Sequence, residues 1–430
     1  MKKILLLISL LLVLFGSGLA GKEDLENSLF NLPDVVFETI DTPDSFEVAY
    51  QLKIRQPLDH LNPSQGYFYQ KVYLSHLALD RPVVINTAGY AQGRNRIGEL
   101  TKLLKANQVN VEHRFFGESL PDSLDYRYLN LKQATADLHH ITQLLKNIYK
   151  GKWVSTGISK GGVTTIFYRY FYPQDVDVSI PYVAPVNKER EDRRIYAFLD
   201  TVGTDDCREK IRRFQTRLLN NREEVLTYLK FYTLGREQKF TYLTFEQAFE
   251  FAVLEYPFGF WQWGSSCDSI PGEDTSLKKA VEYFVSTNPI ALFGDKDIHY
   301  FAPHYYQSAE EMGYYGYEAY KFKNQIKALP TDRNPMATFT PDSIQIPFDG
   351  KLLKDVHKWL NKKGDKFIYI YGEKDPWTAC AIHPSKKVDA KLFILKGKHH
   401  GSARIKNMSK AEKQVFIETL EKWLRMEIDE

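Results

Sequence analysis

The sequence predicts an α/β fold in which a helical cap is inserted between the later strands of the sheet. Three observations carry that expectation. Short apolar, β-branched runs alternate with amphipathic stretches through the first part of the chain. Beyond Pro185 the texture turns charged and then largely helical. Sheet character returns in Phe367-Ile368-Tyr369-Ile370-Tyr371 and in Leu392-Phe393-Ile394-Leu395.

In chain order, Lys2 and Lys3, the apolar run 4–15 and the small-residue stretch Gly18-Leu19-Ala20 form the three parts of an export signal. Cleavage near Gly21 is expected, leaving a secreted or periplasmic protein with no stable membrane association. Strand character follows at residues 46–54, 67–77, 82–87 and 108–112. Leu131, Ala134, Leu138, Ile141, Leu145 and Ile148 recur at helical spacing, which marks a helix packed on a sheet. A strand at 153–156, a helix at 163–172 and a strand at 176–183 come next. Ile211, Phe214, Leu218, Val225 and Leu229 give one apolar stripe in the helical block, and residues 245–256 give another. A last helix, from about Lys410, carries Phe416, Leu420, Trp423 and Leu424 on one face. The expected organisation is a signal at 1–20, a core in two parts at 21–186 and 350–430, and a helical cap at 187–349.

With 57 basic and 54 acidic side chains interspersed, the chain has no basic stripe. Nucleic acid and anionic membrane surfaces are therefore poor partners. Of the three cysteines, Cys207 and Cys267 both fall in the cap and are favoured as a disulfide. Pairings with Cys380 stay open. No C-x-x-C or H-E-x-x-H spacing suggests a metal, and no cofactor is expected.

Gly157-Ile158-Ser159-Lys160-Gly161-Gly162 reads G-x-S-x-G between an apolar strand and a helix. That is the setting of a nucleophile elbow, where the serine occupies a turn too tight for bulky neighbours. A serine hydroxyl needs an imidazole to take its proton and a carboxylate to orient that imidazole. In α/β-hydrolases the partners follow in the order Ser, Asp/Glu, His. Here Asp375 follows the 367–371 strand, with Glu373 an alternative carboxylate. His399 and His400 follow the 392–395 strand. The predicted triad is Ser159, Asp375 and His400, with His399 as the alternative base. The backbone N–H of Lys160 and that of Gly89 or Tyr90, after the 82–87 strand, are the expected oxyanion donors. The fold expectation is thus an α/β-hydrolase core.

Glu112-His113-Arg114-Phe115-Phe116-Gly117-Glu118-Ser119-Leu120-Pro121 resembles a block of the prolyl carboxypeptidase and lysosomal dipeptidyl peptidase family. Gln133-Ala134, Asp137-Leu138 and the Gly372–Trp377 block fit the same pattern. The elbow departs from that family's G-S-Y-G-G form. Ile158-Ser159-Lys160-Gly161-Gly162 is similar instead to the elbow of secreted bacterial tripeptidyl aminopeptidases. Tyr182-Val183-Ala184-Pro185 and Leu254-Glu255-Tyr256-Pro257-Phe258 strengthen the second likeness. The resemblance implies a metal-free serine exopeptidase that removes tripeptides from the free N-termini of peptides. A carboxylesterase or lipase, a prolyl carboxypeptidase-like enzyme and a catalytically inactive binding protein are the alternatives on this fold.

An aminopeptidase must bind an ammonium group, and a partly buried carboxylate does so strongly. Glu255, beside Tyr256, Phe258, Trp261 and Trp263, is the candidate. A glutamate on a solvated helix face reads the same way in sequence. Glu112 is expected to be structural, paired with Arg114 or with a backbone donor near the elbow.

Overall fold

The computed structural model describes residues 23–340 and 346–428. The expected signal at 1–20 lies outside them. Nine strands form one sheet: β1 Val35–Ile40, β2 Val48–Pro57, β3 Tyr67–His76, β4 Val83–Thr87 and β5 Asn107–Val111, then β6 Trp153–Ile158, β7 Val178–Tyr182, β8 Ile368–Gly372 and β9 Lys391–Leu395. Their spatial order is β1-β2-β3-β5-β4-β6-β7-β8-β9. The first four in that order pair antiparallel, and from β5 to β9 every pairing is parallel.

Alternation along the parallel strands fills both faces. Val83 and Ile85 of β4 pack in one apolar cluster, while Val84 between them packs in the opposite one. The first face is covered by α2 (Leu131–Leu145) and α3 (Lys160–Phe171), and by α10 (Lys351–Lys363) toward β8. The second face is covered by α1 (Glu99–Leu103) and α11 (Lys410–Leu424), whose Phe416, Leu420 and Leu424 are buried. A mostly parallel sheet sandwiched between helices, with a strand–serine–helix elbow after β6, is the α/β-hydrolase fold.

Between β7 and β8 lie α4 (Arg194–Leu199), α5 (Asp205–Asn220), α6 (Arg222–Leu234), α7 (Phe245–Trp263), α8 (Leu277–Thr287) and α9 (Asp295–Gln307). Their apolar faces meet in one cluster that also holds Trp377 and Cys380 of the core. A disulfide joins Cys207 of α5 to Cys267 just after α7, with Cα atoms 5.4 Å apart. Cys380 is free and buried, and burial pushes its thiol well above the usual range.

Three details depart from the sequence pattern. β1 is unannounced because, as an edge strand, it alternates only between half-buried and exposed positions. The stripe from Ile211 to Leu229 is split at Asn221 into α5 and α6. The third is α7, which runs past Tyr256 to Trp263 with Pro257 inside it. Proline has no N–H to give the carbonyl four residues back. That carbonyl, on Val253, accepts instead from the Gln215 side chain at 2.7 Å, and Ala252 O accepts from Asn288 at 2.7 Å. The helix continues because two neighbouring side chains satisfy the carbonyls around the proline.

Candidate active site

The carboxyl ends of β4, β6, β8 and β9 open on one edge of the sheet. Ser159, at the end of β6, has φ 57° and ψ −124°. A non-glycine residue held there costs about 1–3 kcal/mol, and such strain is typical of functional turns. The Ser159 N–H donates to Tyr182 O at 2.9 Å, which ties the elbow to β7. Gly161 meets the backbone of Thr87 so closely that a Cβ there would collide with its carbonyl oxygen. The elbow thus depends on β4 and β6 approaching within backbone contact.

Asp375 is fully buried, and its two oxygens have separate tasks. Oδ2 lies 2.7 Å from His400 Nδ1, and Oδ1 accepts the Trp377 N–H at 3.2 Å. Gly372 brings the two loops together: a Cβ at that position would sit 2.6 Å from Lys398 O. The Lys374 N–H donates to the same carbonyl at 2.9 Å. The His400 N–H donates to Gln262 O of α7 at 3.1 Å, so an inserted helix holds the imidazole loop from above. The neighbouring His399 ring faces away, packed against Gly264 at the end of α7, with its Nδ1 buried and unpartnered. Glu373 is exposed and accepts the Gly397 N–H, away from either imidazole.

Ser159, Lys160, Tyr90, Glu255, Trp377 and His400 line a single cavity of about 690 Å³ between the sheet edge and the inserted helices. Lys160 is the first residue of α3, so its backbone N–H has no acceptor within the helix. Gly89 and Tyr90 sit beside it: a Cβ on Gly89 would lie 2.7 Å from Gly161 N.

Glu255 is buried rather than on a solvated face. Tyr315 donates to its carboxylate oxygens at 3.1 and 2.9 Å, and Tyr317 donates at 2.9 Å. Burial pushes the acid up to about 7, against the pull of the two hydroxyls. The carboxylate has hydrogen-bond partners but, among the described residues, no cation paired to it.

Taken together, the chain places a serine on a strained elbow, a buried Asp–His pair and a buried carboxylate around one cavity. The PS-10 peptidase S37 family model matches residues 22–420. The chain belongs to the S37 family of serine peptidases. It is 30% identical over 421 residues to the prolyl tri/tetrapeptidyl aminopeptidase of Streptomyces mobaraensis, covering 93% of this chain and 86% of that one. Lysosomal Pro-X carboxypeptidase of Bos taurus is 30% identical over 132 residues, or 27% of this chain and 26% of that one. Among solved structures, the proline iminopeptidase of Mycobacterium smegmatis aligns over 87% of this chain and 99% of its own, at 11% identity and TM-score 0.41.

The Glu112-His113-Arg114 block is a structural hub in this chain. Glu112 does not pair with Arg114. Its carboxylate accepts the N–H groups of Gln92, Glu118 and Ser119 at 2.7–3.0 Å and lies 3.2 Å from Lys71 Nζ. Arg114 pairs instead with Asp137 of α2 through two bonds of 2.7 Å, both residues fully buried, and donates to the carbonyls of Pro57, Leu58 and Tyr128. Removing one partner strands the other charge. Asp137→Ala is expected to cost about 3–5 kcal/mol of folding stability. A denaturant midpoint unchanged from wild type would contradict this.

Several site residues carry no signal in the sequence. Tyr315 and Tyr317 lie some sixty positions from the glutamate they hold, and nothing local in Tyr314-Tyr315-Gly316-Tyr317 points back to it. The buried Lys160 ammonium, His304 in the cavity wall and Arg404, which donates to His400 O at 3.1 Å, are likewise products of the tertiary fold. Among the described residues, no group of three or more His, Cys, Asp or Glu side chains is arranged to hold a metal ion.

Proposed function

We propose that this S37 peptidase is an exported exopeptidase that releases tripeptides from the free N-termini of peptides, through an acyl-enzyme on Ser159. The observation that carries the reading is Glu255, a buried carboxylate in the same cavity as Ser159 and His400, with no cation paired to it among the described residues. A substrate ammonium supplies the missing partner, and a desolvated pair of that kind is strong. The likeness to a prolyl tri/tetrapeptidyl aminopeptidase of Streptomyces supports the same reading.

In this mechanism Ser159 Oγ attacks the peptide carbonyl while His400 Nε2 takes its proton. Asp375 holds the Nδ1–H tautomer and stabilises the imidazolium. The Lys160 N–H and the N–H of Gly89 or Tyr90 receive the developing oxyanion. His400 then protonates the departing amine, and water, activated by the same imidazole, releases the tripeptide. These residues supply every proton transfer, so the reading calls for no cofactor. On this reading the inserted helices would limit entry to a chain end, and the spacing of Glu255 from Ser159 would set the length released. Export rests on the signal-like segment at 1–20.

His400 and His399 separate cleanly by mutation. His400→Ala is expected to lower kcat by about 10³-fold or more, whereas His399→Ala changes it less than about tenfold. The reverse pattern would exchange their roles. The function itself is tested by mass analysis of products from a longer synthetic peptide with a free N-terminus. Tripeptide fragments from the amino end are expected. Single residues lost from the carboxyl end would identify a carboxypeptidase instead.

A further inference from the structure

Lys160 serves the elbow through its backbone, but its side chain is the less expected feature. It is 3% exposed, and its ammonium donates to Gly89 O at 3.0 Å. The ring faces of Tyr90 and Phe116 lie 5.7 and 5.4 Å from the nitrogen. Among the described residues it forms no ion pair within bonding distance. Burying an ammonium with one carbonyl acceptor costs stability, and an apolar side chain of similar length would fill the space more favourably. A stabilising role therefore does not account for it.

The acceptor does. Gly89 and Tyr90 share a trans peptide, in which the carbonyl and the next N–H point in opposite directions. A carbonyl fixed on Lys160 also fixes where the Tyr90 N–H points, and Tyr90 lines the cavity with Ser159 and His400. Hydrogen bonding to a cation also draws density from the carbonyl and makes the attached N–H a better donor.

We propose that the Lys160 side chain is a positioning residue for acyl transfer: its ammonium orients and polarises the Gly89–Tyr90 peptide so that the Tyr90 N–H meets the oxyanion. The assignment rests on the serine-peptidase mechanism above. No bond to Lys160 forms or breaks, and its proton stays on Nζ throughout. As Ser159 Oγ adds to the carbonyl, the growing negative charge lies between the Lys160 and Tyr90 amides, the second backed by the ammonium.

The titratable groups facing Lys160 are His113 after β5, His304 of α9, Glu311 just beyond α9 and Tyr90 itself. Burial holds His113 well below its usual range and His304 down to about 3, so both imidazoles are neutral near pH 7. Burial raises Glu311 to about 8, and it takes Lys160 down to about 7 with only partial opposition from Glu311. The ammonium is present below that value and lost above it, which puts a falling limb on kcat as pH rises. The folding linkage has the opposite benefit. Between about 7 and the ordinary 10.5 the unfolded chain holds a proton that the native one does not, so stability rises with pH across that window. The full burden falls below about 7.

The test compares wild type, Lys160→Met, Lys160→Arg and Ser159→Ala on a free-amine tripeptide anilide across neutral pH, with thermal midpoints. In Lys160→Met we expect kcat lowered about 10–100-fold, KM within about threefold, and no alkaline limb. Its thermal midpoint on the acid side of neutrality should equal or exceed that of wild type. Lys160→Arg, which keeps the charge, should recover part of kcat. Wild-type kcat in Lys160→Met would overturn the proposal. So would a loss of kcat that tracks a lowered midpoint and is not relieved by arginine. Activity surviving in Ser159→Ala would overturn the peptidase mechanism itself, whereas an inactive Ser159→Ala beside an unimpaired Lys160→Met would overturn only the role of the lysine.

Discussion

Ser159→Ala is expected to lower kcat by about 10⁴–10⁶-fold and to leave the thermal midpoint unchanged. The size of the effect follows from the proposed chemistry: without Oγ no acyl-enzyme could form, and only binding and the oxyanion donors would remain. The fold should tolerate the change, because the alanine inherits the same φ of 57° and the same backbone bond to Tyr182 O. Steady-state kinetics and a fluorophosphonate label read by intact mass check it from two sides. Wild type should gain one label and the variant none. A variant within about tenfold of wild type would place the nucleophile elsewhere.

The second large effect concerns Glu255. Glu255→Gln keeps the size and the tyrosine contacts but removes the charge that, on the proposed reading, would meet the substrate ammonium. KM for free-amine substrates is expected to rise about 100-fold, in line with the loss of one desolvated, charge-assisted pair. In wild type the same group gives KM a pH dependence. Burial raises the carboxyl from its ordinary 4.5 to about 7, so binding weakens as pH falls through about 7 and the acid becomes neutral. Between 4.5 and about 7 the native chain holds a proton that the unfolded chain has lost, so stability through this group falls as pH rises. Glutamine removes that burden. Above neutrality the variant should melt at or above the wild-type temperature while binding poorly. An unchanged KM would remove Glu255 from substrate binding.

The parts of the fold that were legible in sequence are those set by local pattern. β4, β6 and β8 are short β-branched or aromatic runs buried on both faces, and each ends in turn residues that carry a site loop. The strand–turn–helix around Ser159 was legible because an elbow requires small residues at fixed offsets. The place of Asp375 just past the end of β8 was legible from the apolar run before it and the turn residues around it. His400 could not be separated from His399 by spacing. Only the loop path, held by Gly372 on one side and Gln262 on the other, turns one ring toward Asp375 and packs the other against Gly264.

What was not legible depends on contacts distant in sequence. The persistence of α7 beyond Pro257 needs Gln215 and Asn288 from two other helices. The environment of Glu255 needs Tyr315 and Tyr317, which the chain delivers only after α8 and α9. Of the two partners expected for Glu112 the backbone donors hold, joined by Lys71, while Arg114 goes to Asp137 instead. Pairing partners inside a hub of charges follow from tertiary geometry, and sequence spacing does not determine them.

Tripeptidyl release from free N-termini is decided by hydrolysis of Ala-Ala-Pro and Ala-Ala-Phe anilides, each with a free and an acetylated N-terminus, by wild type and Ser159→Ala. Wild type is expected to cleave only the free-amine forms, and Ser159→Ala to cleave neither. Equal cleavage of free and acetylated substrates would contradict recognition of the amine by Glu255, and no cleavage of either by wild type would contradict the tripeptidyl activity.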